Sequence, residues 1–304
     1  MRLSCFSLLF LAVWMFSNST MAQKHYPPQI DCSKVVTYKQ VDDVELGLWI
    51  FNPPGHKPAD KSPAIVFFFG GGWMNGNPEQ FVPHCKHLAS RGMVAAVADY
   101  RVFSRHRVMI PACVSDAKSA IRWMRKNAAG LGIDPNRIAA GGGSAGGHLA
   151  ASTALLPKFD EPEENLQVSS EPNALVLFNP ALILAPLDSD NTSHDDLQEK
   201  ISNRIGPVPS DVSPYHHVNK EVPPTIVFHG TNDTTVPFET IKLFSEKMKK
   251  SDNQCTVVAY KNQGHGFFNF GRDKNGPYIA TVNEMDQFLV SIGYLNAPPE
   301  SYTF

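Results

Sequence analysis

The chain has 304 residues, 42% hydrophobic and 18% charged, with a formal net charge of -2. That length and composition suit one globular domain with a sizeable core. The near-neutral charge removes the electrostatic case for a nucleic-acid partner, and the chain shows no internal repeat.

The N-terminus reads as a secretory signal. Arg2 gives a weak positive start, Leu8 to Phe16 is apolar, and Thr20-Met21-Ala22 offers a small-residue cleavage site before Gln23. The apolar run falls short of the ~20 residues needed to cross a bilayer, so stable membrane insertion is not expected. Residues 1–22 are therefore expected to be removed and residues 23–304 to form the mature domain, secreted or periplasmic. Cys5 leaves with the signal, while Cys32, Cys85, Cys113 and Cys255 stay. Those four allow three full pairings or free thiols, and their spacing is not that of a zinc site.

Val35–Val41 and Leu46–Phe51 alternate as a pair of antiparallel strands. Ala64–Phe69 and Met93–Asp99 are solid apolar runs, as in strands buried on both faces of a parallel sheet. Helices are expected over Pro78–Arg91, stopped by Gly92, and over Pro111–Ala129, with Gly130 just beyond. Arg137–Ala140, Ala174–Phe178, Pro223–Phe228 and Cys255–Tyr260 read as further strands. Helices Phe238–Lys250 and Tyr278–Ile292 follow, the latter with Ile279, Val282, Met285, Phe288 and Leu289 on one face. This alternation implies an α/β fold with a mostly parallel central sheet and helices on both faces. Residues 181–222 break the rhythm; polar and Pro-rich, they read as a small cap insertion over the sheet's carboxyl edge.

Gly142-Gly143-Ser144-Ala145-Gly146 carries the pattern G-x-S-x-G between a strand and a small-residue helix. That context is a nucleophile elbow, where Ser144 holds a strained turn and side chains at Gly142 or Gly146 would collide with their neighbours. A glycine-rich turn without catalysis is the plainer alternative. A serine nucleophile needs a base, and the base an orienter. Asp233 follows the strand ending at Phe228 and His265 follows the last strand, the order Ser, acid, His of the hydrolase template. Asp233 could instead cap the next helix, and His265 could be an ordinary loop histidine. His229 and His148 are expected to be packed; His194, His216 and His217 precede Asp233 and break the order. The amide of Ala145 and those of Gly71 and Gly72, in the Gly70-Gly71-Gly72-Trp73 loop, are candidate oxyanion donors.

With these pieces the chain resembles the serine esterases of the α/β-hydrolase fold. It is similar to the bacterial carboxylesterases that include acetyl and feruloyl esterases and relatives of hormone-sensitive lipase. The matching runs are Phe69-Gly70-Gly71-Gly72-Trp73, Asp99-Tyr100-Arg101, Asp134-Pro135-Asn136-Arg137-Ile138, Gly142 to Gly147, His229-Gly230-Thr231-Asn232-Asp233 and Gly264-His265-Gly266-Phe267. The resemblance implies Ser144 as nucleophile, His265 as general base then acid, Asp233 as orienter, and the amides of Gly71, Gly72 and Ala145 as oxyanion hole. It implies no cofactor and no metal. Phe69 stands where the family usually has a histidine, so the packing of that loop must differ. Asp116 resembles a structural partner for Arg101.

Trp73 and Asn179 are candidate substrate contacts. Arg101, Arg105, His106 and Arg107 form a basic cluster that could meet an anionic group such as a uronate, or simply be solvated. His84, Cys85 and His87 lie close enough to suggest a metal, although such pairs more often decorate a surface. Asn191-Thr192-Ser193 matches a glycosylation acceptor. Export and a polar cap favour a carbohydrate or small-alcohol ester, a small molecule or a polysaccharide, and the resemblance implies a short (acetyl) or aromatic acyl group on it. A serine peptidase of the prolyl-oligopeptidase type and a non-catalytic binding protein are the alternatives. The sequence carries no marker of oligomeric state.

Overall fold

A computed structural model describes residues 26–187 and 199–297. The proposed signal segment, the acidic runs Asp188-Ser189-Asp190 and Asp195-Asp196, the Asn191 acceptor and His194 lie outside the described residues.

Eight strands form one sheet in the order β1-β2-β4-β3-β5-β6-β7-β8. They are β1 (Lys34–Val41), β2 (Val44–Phe51), β3 (Ser62–Phe68), β4 (Val94–Ala98), β5 (Ile133–Gly143), β6 (Ala174–Phe178), β7 (Thr225–Gly230) and β8 (Cys255–Tyr260). β1 and β2 pair antiparallel, as does β2 with β4; every pairing from β4 through β8 is parallel. The β3 sequence explains its central place. Ala64, Val66 and Phe68 belong to one apolar cluster and Ile65 and Phe67 to the other, so both faces are buried.

Helices cover each face. α1 (Val82–Ser90) and α5 (Gly276–Ser291) pack with Ile65 and Phe67 through Leu88, Val282, Met285 and Leu289. α2 (Ile110–Lys126), α3 (Ala145–Leu155) and α4 (Phe238–Lys250) pack with Val66 and Phe68 through Val114, Leu149 and Phe244.

Several boundaries differ from the sequence expectation. The helix expected over Pro78–Arg91 opens with a 3-10 turn, Pro78–Phe81, because Asn77 caps it by accepting from the Glu79 N–H. α2 stops at Lys126, and a separate helical turn, Ala128–Leu131, ends at Gly132 with φ 65°. Gly132, not Gly130, supplies the left-handed terminator. β5 runs on through Gly141, Gly142 and Gly143, which pair with Val176, Leu177 and Phe178, so these glycines are strand rather than turn. Ile279, expected on the buried face of α5, is 39% exposed. Cys32, Cys85, Cys113 and Cys255 are all free thiols.

The described parts of segment 181–222 are less polar in structure than in sequence. Leu182, Leu184, Ile201, Ile205 and Val212 are buried. Tyr215 N–H donates to Leu182 O and Leu184 N–H to Ser213 Oγ, tying the two ends of the segment together.

Candidate active site

The carboxyl ends of β3, β5, β6, β7 and β8 converge on one crevice, where ligands bind in open α/β sheets. Ser144 sits between β5 and α3 with φ 54° and ψ -117°. That backbone region strains any residue with a Cβ, and the surroundings hold it there. Ser144 N–H donates to Phe178 O at 2.8 Å, and His148 N–H donates to Ser144 O at 3.0 Å. A Cβ on Gly142 would press on the Gly146 carbonyl, and one on Gly146 on the backbone of Phe68 and Phe69. The elbow therefore requires glycine at both positions.

His265 Nε2 lies 2.9 Å from Ser144 Oγ, and its Nδ1 lies 2.7 Å from Asp233 Oδ2. The sequence offered Asp233 as orienter or as turn cap, and its two oxygens do both. Oδ1 accepts from Thr235 and Val236 N–H at 2.9 Å, while Oδ2 faces the imidazole. His229 is buried as expected; its Nε2 stands 2.9 Å from Val236 O and 3.3 Å from Asp233 Oδ2. Burial works to raise the Asp233 pKa, but hydrogen bonds from His229, His265 and the Val236 amide outweigh it and hold the carboxyl well below the usual range.

The base loop is pinned at Gly266, whose φ of 73° suits glycine. Asn179 Oδ1 accepts from Gly266 N–H at 3.0 Å, and Asn269 Nδ2 donates to Gly266 O at 2.8 Å. The expectation of Asn179 as a substrate contact is thereby corrected. Its side chain is fully buried at the end of β6 and holds the histidine loop instead.

Gly70, Gly71 and Gly72 follow β3. Gly70 N–H donates to Gln80 Oε1 at 2.6 Å, whereas the N–H groups of Gly71, Gly72 and Ala145 donate to no acceptor among the described residues. Gly71 (φ 125°) has no room for a Cβ against Asn75. Phe69 stacks on Tyr100 with ring centroids 4.1 Å apart, and Tyr100 O–H donates to Phe69 O at 2.8 Å. Trp73 is buried, and its indole N–H donates to His148 Nδ1 at 3.2 Å. His148 Nε2 is 2.7 Å from Val212 O, and burial pushes its pKa down to about 4, so a neutral imidazole fixes the tryptophan.

A cavity of about 470 Å³ holds Ser144 and His265, with Gly71, Gly72, Trp73 and Thr235 in its walls. A neighbouring groove of about 540 Å³ shares Gly70, Gly71, Gln80 and Asn269 with it but does not reach Ser144. The other candidates lie apart from both. Arg101 grips Asp116 through Nε and Nη2 at 2.8 Å, and Lys39 Nζ is 2.9 Å from the same carboxylate. Arg105 donates to Gly76 O at 2.8 Å and pairs with Asp99, and Arg107 lies over the Phe103 ring. His84 is enclosed by aromatic rings, while His87 reaches Asp286 at 2.9 Å, so the two imidazoles do not converge. No helix among the described residues is long and apolar enough to cross a membrane.

Sheet order, elbow and cleft define an α/β-hydrolase. Residues 48–248 match the BD-FAE family, and residues 207–294 match the dienelactone hydrolase family. The chain is 30% identical over 233 residues to esterase LipC of Mycobacterium tuberculosis, covering 72% of this chain and 57% of that protein. A probable carboxylic ester hydrolase of the same organism, LipM, is 28% identical over 69% of this chain and 50% of its own length. The chain thus spans little more than half the length of these curated relatives. Among solved structures, esterase 2 of Thermogutta terrifontis phosphonylated by sarin superposes with a TM-score of 0.88 at 53% identity, covering 90% of this chain and all of that one. The same esterase is also known with butyrate bound, at a TM-score of 0.86 and 53% identity over 91% of this chain and all of that one. The chain belongs to the BD-FAE family and shares the α/β-hydrolase fold with these esterases.

Proposed function

We propose that the protein hydrolyses carboxylic esters through Ser144, His265 and Asp233, and that its natural acyl groups are short. The observation that carries this reading is the continuous line from Ser144 Oγ through both imidazole nitrogens of His265 to Asp233 Oδ2, with bonds of 2.9 and 2.7 Å. Asp233 accepts a hydrogen bond from Nδ1–H, which leaves Nε2 unprotonated and ready to take the hydroxyl proton as Ser144 attacks the acyl carbon. Charge develops on the former carbonyl oxygen beside the amides of Gly71, Gly72 and Ala145, which collapse of the intermediate then frees. His265 delivers its proton to the leaving alcohol. It then deprotonates the water that releases the acid from Ser144.

The short-acyl reading rests on the modest cavity, about 470 Å³, and on the butyrate and propionate complexes of the Thermogutta esterase. Secretion rests on the apolar N-terminal segment Leu8 to Phe16 and the site before Gln23. Carbohydrate esters, including those of polysaccharides, are the substrates that export and the resemblance to acetyl and feruloyl esterases favour.

A series of 4-nitrophenyl esters from acetate to decanoate tests the reading. Acetate to butyrate are expected to turn over fastest, and Ser144→Ala is expected to lower kcat by about 10⁴-fold or more. Paraoxon should add one phosphoryl mass to the wild type and none to Ser144→Ala. Undiminished ester turnover in that variant would sink the assignment of the nucleophile.

A further inference from the structure

Among the described residues, the walls of the catalytic cavity carry three cationic side chains, Lys200, Arg204 and Arg272, and no carboxylate. Arg204 is the unusual member, because it is only 8% exposed. Its guanidinium donates to neutral oxygens alone: Nη1 to Gly72 O at 2.9 Å, Nη2 to Lys200 O at 2.8 Å and Nε to Asn203 Oδ1 at 3.3 Å. A guanidinium has five N–H donors, and these bonds use three of them among the described residues. None of the three cations has a carboxylate partner among the described residues. Arg272 donates to His265 O at 3.1 Å, and Asp116, the buried acid of α2, is already bound by Arg101 and Lys39.

A buried charge without a counter-charge is costly, and such groups are normally paired. Here Arg204 lines the cavity beside the glycine loop Gly70–Gly72, so a ligand can bring the counter-charge that the described residues do not. Planar guanidinium donors match a carboxylate or phosphate in two-pronged fashion. Lys200 and Arg272, both exposed, add a field of the same sign at the mouth.

Resting on the esterase reading above, we propose that the preferred substrate is an ester bearing a second, anionic group, a carboxylate or phosphate, and that Arg204 is the residue that selects it. The hydrolytic steps are unchanged; the anion is bound and not transformed. The basic cluster Arg101 to Arg107, which the sequence suggested for such a role, is occupied by Asp116, Asp99 and Gly76 O, whereas Arg204 faces the cleft.

Two matched pairs of esters test this. For charge on the acyl side, 4-nitrophenyl hydrogen glutarate is set against 4-nitrophenyl 5-methylhexanoate, which has the same shape without the charge. For charge on the alcohol side, 4-acetoxybenzoate is set against 4-acetoxybenzamide. The anionic member of one pair is expected to lead by about tenfold or more in kcat/KM, the scale of a charge-assisted hydrogen bond. The lead should shrink between about 50 and about 500 mM salt. Arg204 also holds the glycine loop through Gly72 O, so the readout is the anionic-to-neutral ratio within each variant, not absolute rate. The ratio should collapse in Arg204→Gln and survive in part in Arg204→Lys. If Arg204→Gln does not fold, Arg272→Gln and Lys200→Gln should each lower the same ratio. Neutral esters turned over as well as, or better than, their anionic partners in both pairs would overturn the proposal while the esterase reading stands. No turnover of any of the four would overturn both.

Discussion

His84 sets a problem at the level of one residue. Its imidazole is fully buried on α1, among the rings of Phe67, Phe81, Phe178, Phe268 and Tyr278, and neither ring nitrogen has a hydrogen-bond partner among the described residues. Burial pushes its pKa down to about 3, with His87 adding to the shift, so it is neutral at ordinary pH. An unpaired buried polar group costs about 1–3 kcal/mol. His84→Met keeps the volume without the polar nitrogens and is expected to raise stability by about 1 kcal/mol, read as a higher urea midpoint at unchanged slope. A lower midpoint would show that the imidazole is satisfied where it stands. The sequence presented His84 beside Cys85 and His87 as a weak metal candidate. Side-chain spacing on a helix fixes which residues can meet, but apart from Phe81 the aromatic shell around His84 comes from segments far along the chain.

At the scale of elements, two loops must keep register for the site to exist: Gly70–Gly72 after β3 and His265–Gly266 after β8. A chain of side-chain amides joins them. Gln80 Oε1 accepts from Gly70 N–H at 2.6 Å, Gln80 Nε2 donates to Asn269 Oδ1 at 2.9 Å, and Asn269 Nδ2 donates to Gly266 O at 2.8 Å. Gln80→Met breaks the chain between the loops and is expected to lower kcat by about tenfold to a hundredfold, with KM and thermal midpoint little changed. Gln80→Glu keeps the acceptor for Gly70 but sets a carboxylate against Asn269 Oδ1, so it should recover only part of the loss. A raised KM or a clearly lowered midpoint accompanying the fall in kcat would make Gln80 a packing residue instead. The elbow, the glycine loop, Asp233 and His265 were legible because each is a local word: a small-residue turn at the end of an apolar run. Gln80, Asn269 and Arg204 were not, and Asn179 was singled out as a substrate contact rather than for its bond to Gly266. Their partners lie as far as 189 positions away, and an amide or guanidinium in a loop has no periodicity to betray it. The strand boundary at β5 was misplaced for a related reason. Gly141–Gly143 look like turn residues locally, but β6 pairs with all three and β3 with Gly141 and Gly142.

For the molecule as a whole, the buried titratable groups set how stability responds to acid. His84 and His148 are fully buried with pKa values pushed down by burial to about 3 and about 4. In the unfolded chain both titrate near 6.5. Between about pH 4 and 6.5 the unfolded state therefore binds protons that the folded state refuses, and stability rises with pH through that window. His106, half-buried and also shifted down, acts in the same direction. Asp99 opposes them. Burial pushes its carboxyl up to about 6 against Tyr26, Arg105 and the Tyr100 amide, so the folded state gains that proton first as pH falls below 6. One carboxyl offsets one histidine and leaves a net loss on acidification. The stability contributed by the neutral histidines should be complete above about pH 7 and reduced by roughly 1–2 kcal/mol at pH 5, measured as a falling urea midpoint. His84→Met removes one of the two protons taken up on unfolding. Its midpoint should fall less steeply over the same range, so that the gap to wild type widens as pH drops. Parallel pH profiles for the two proteins would mean that His84 is protonated inside the fold, and that the aromatic shell around it opens before the chain unfolds.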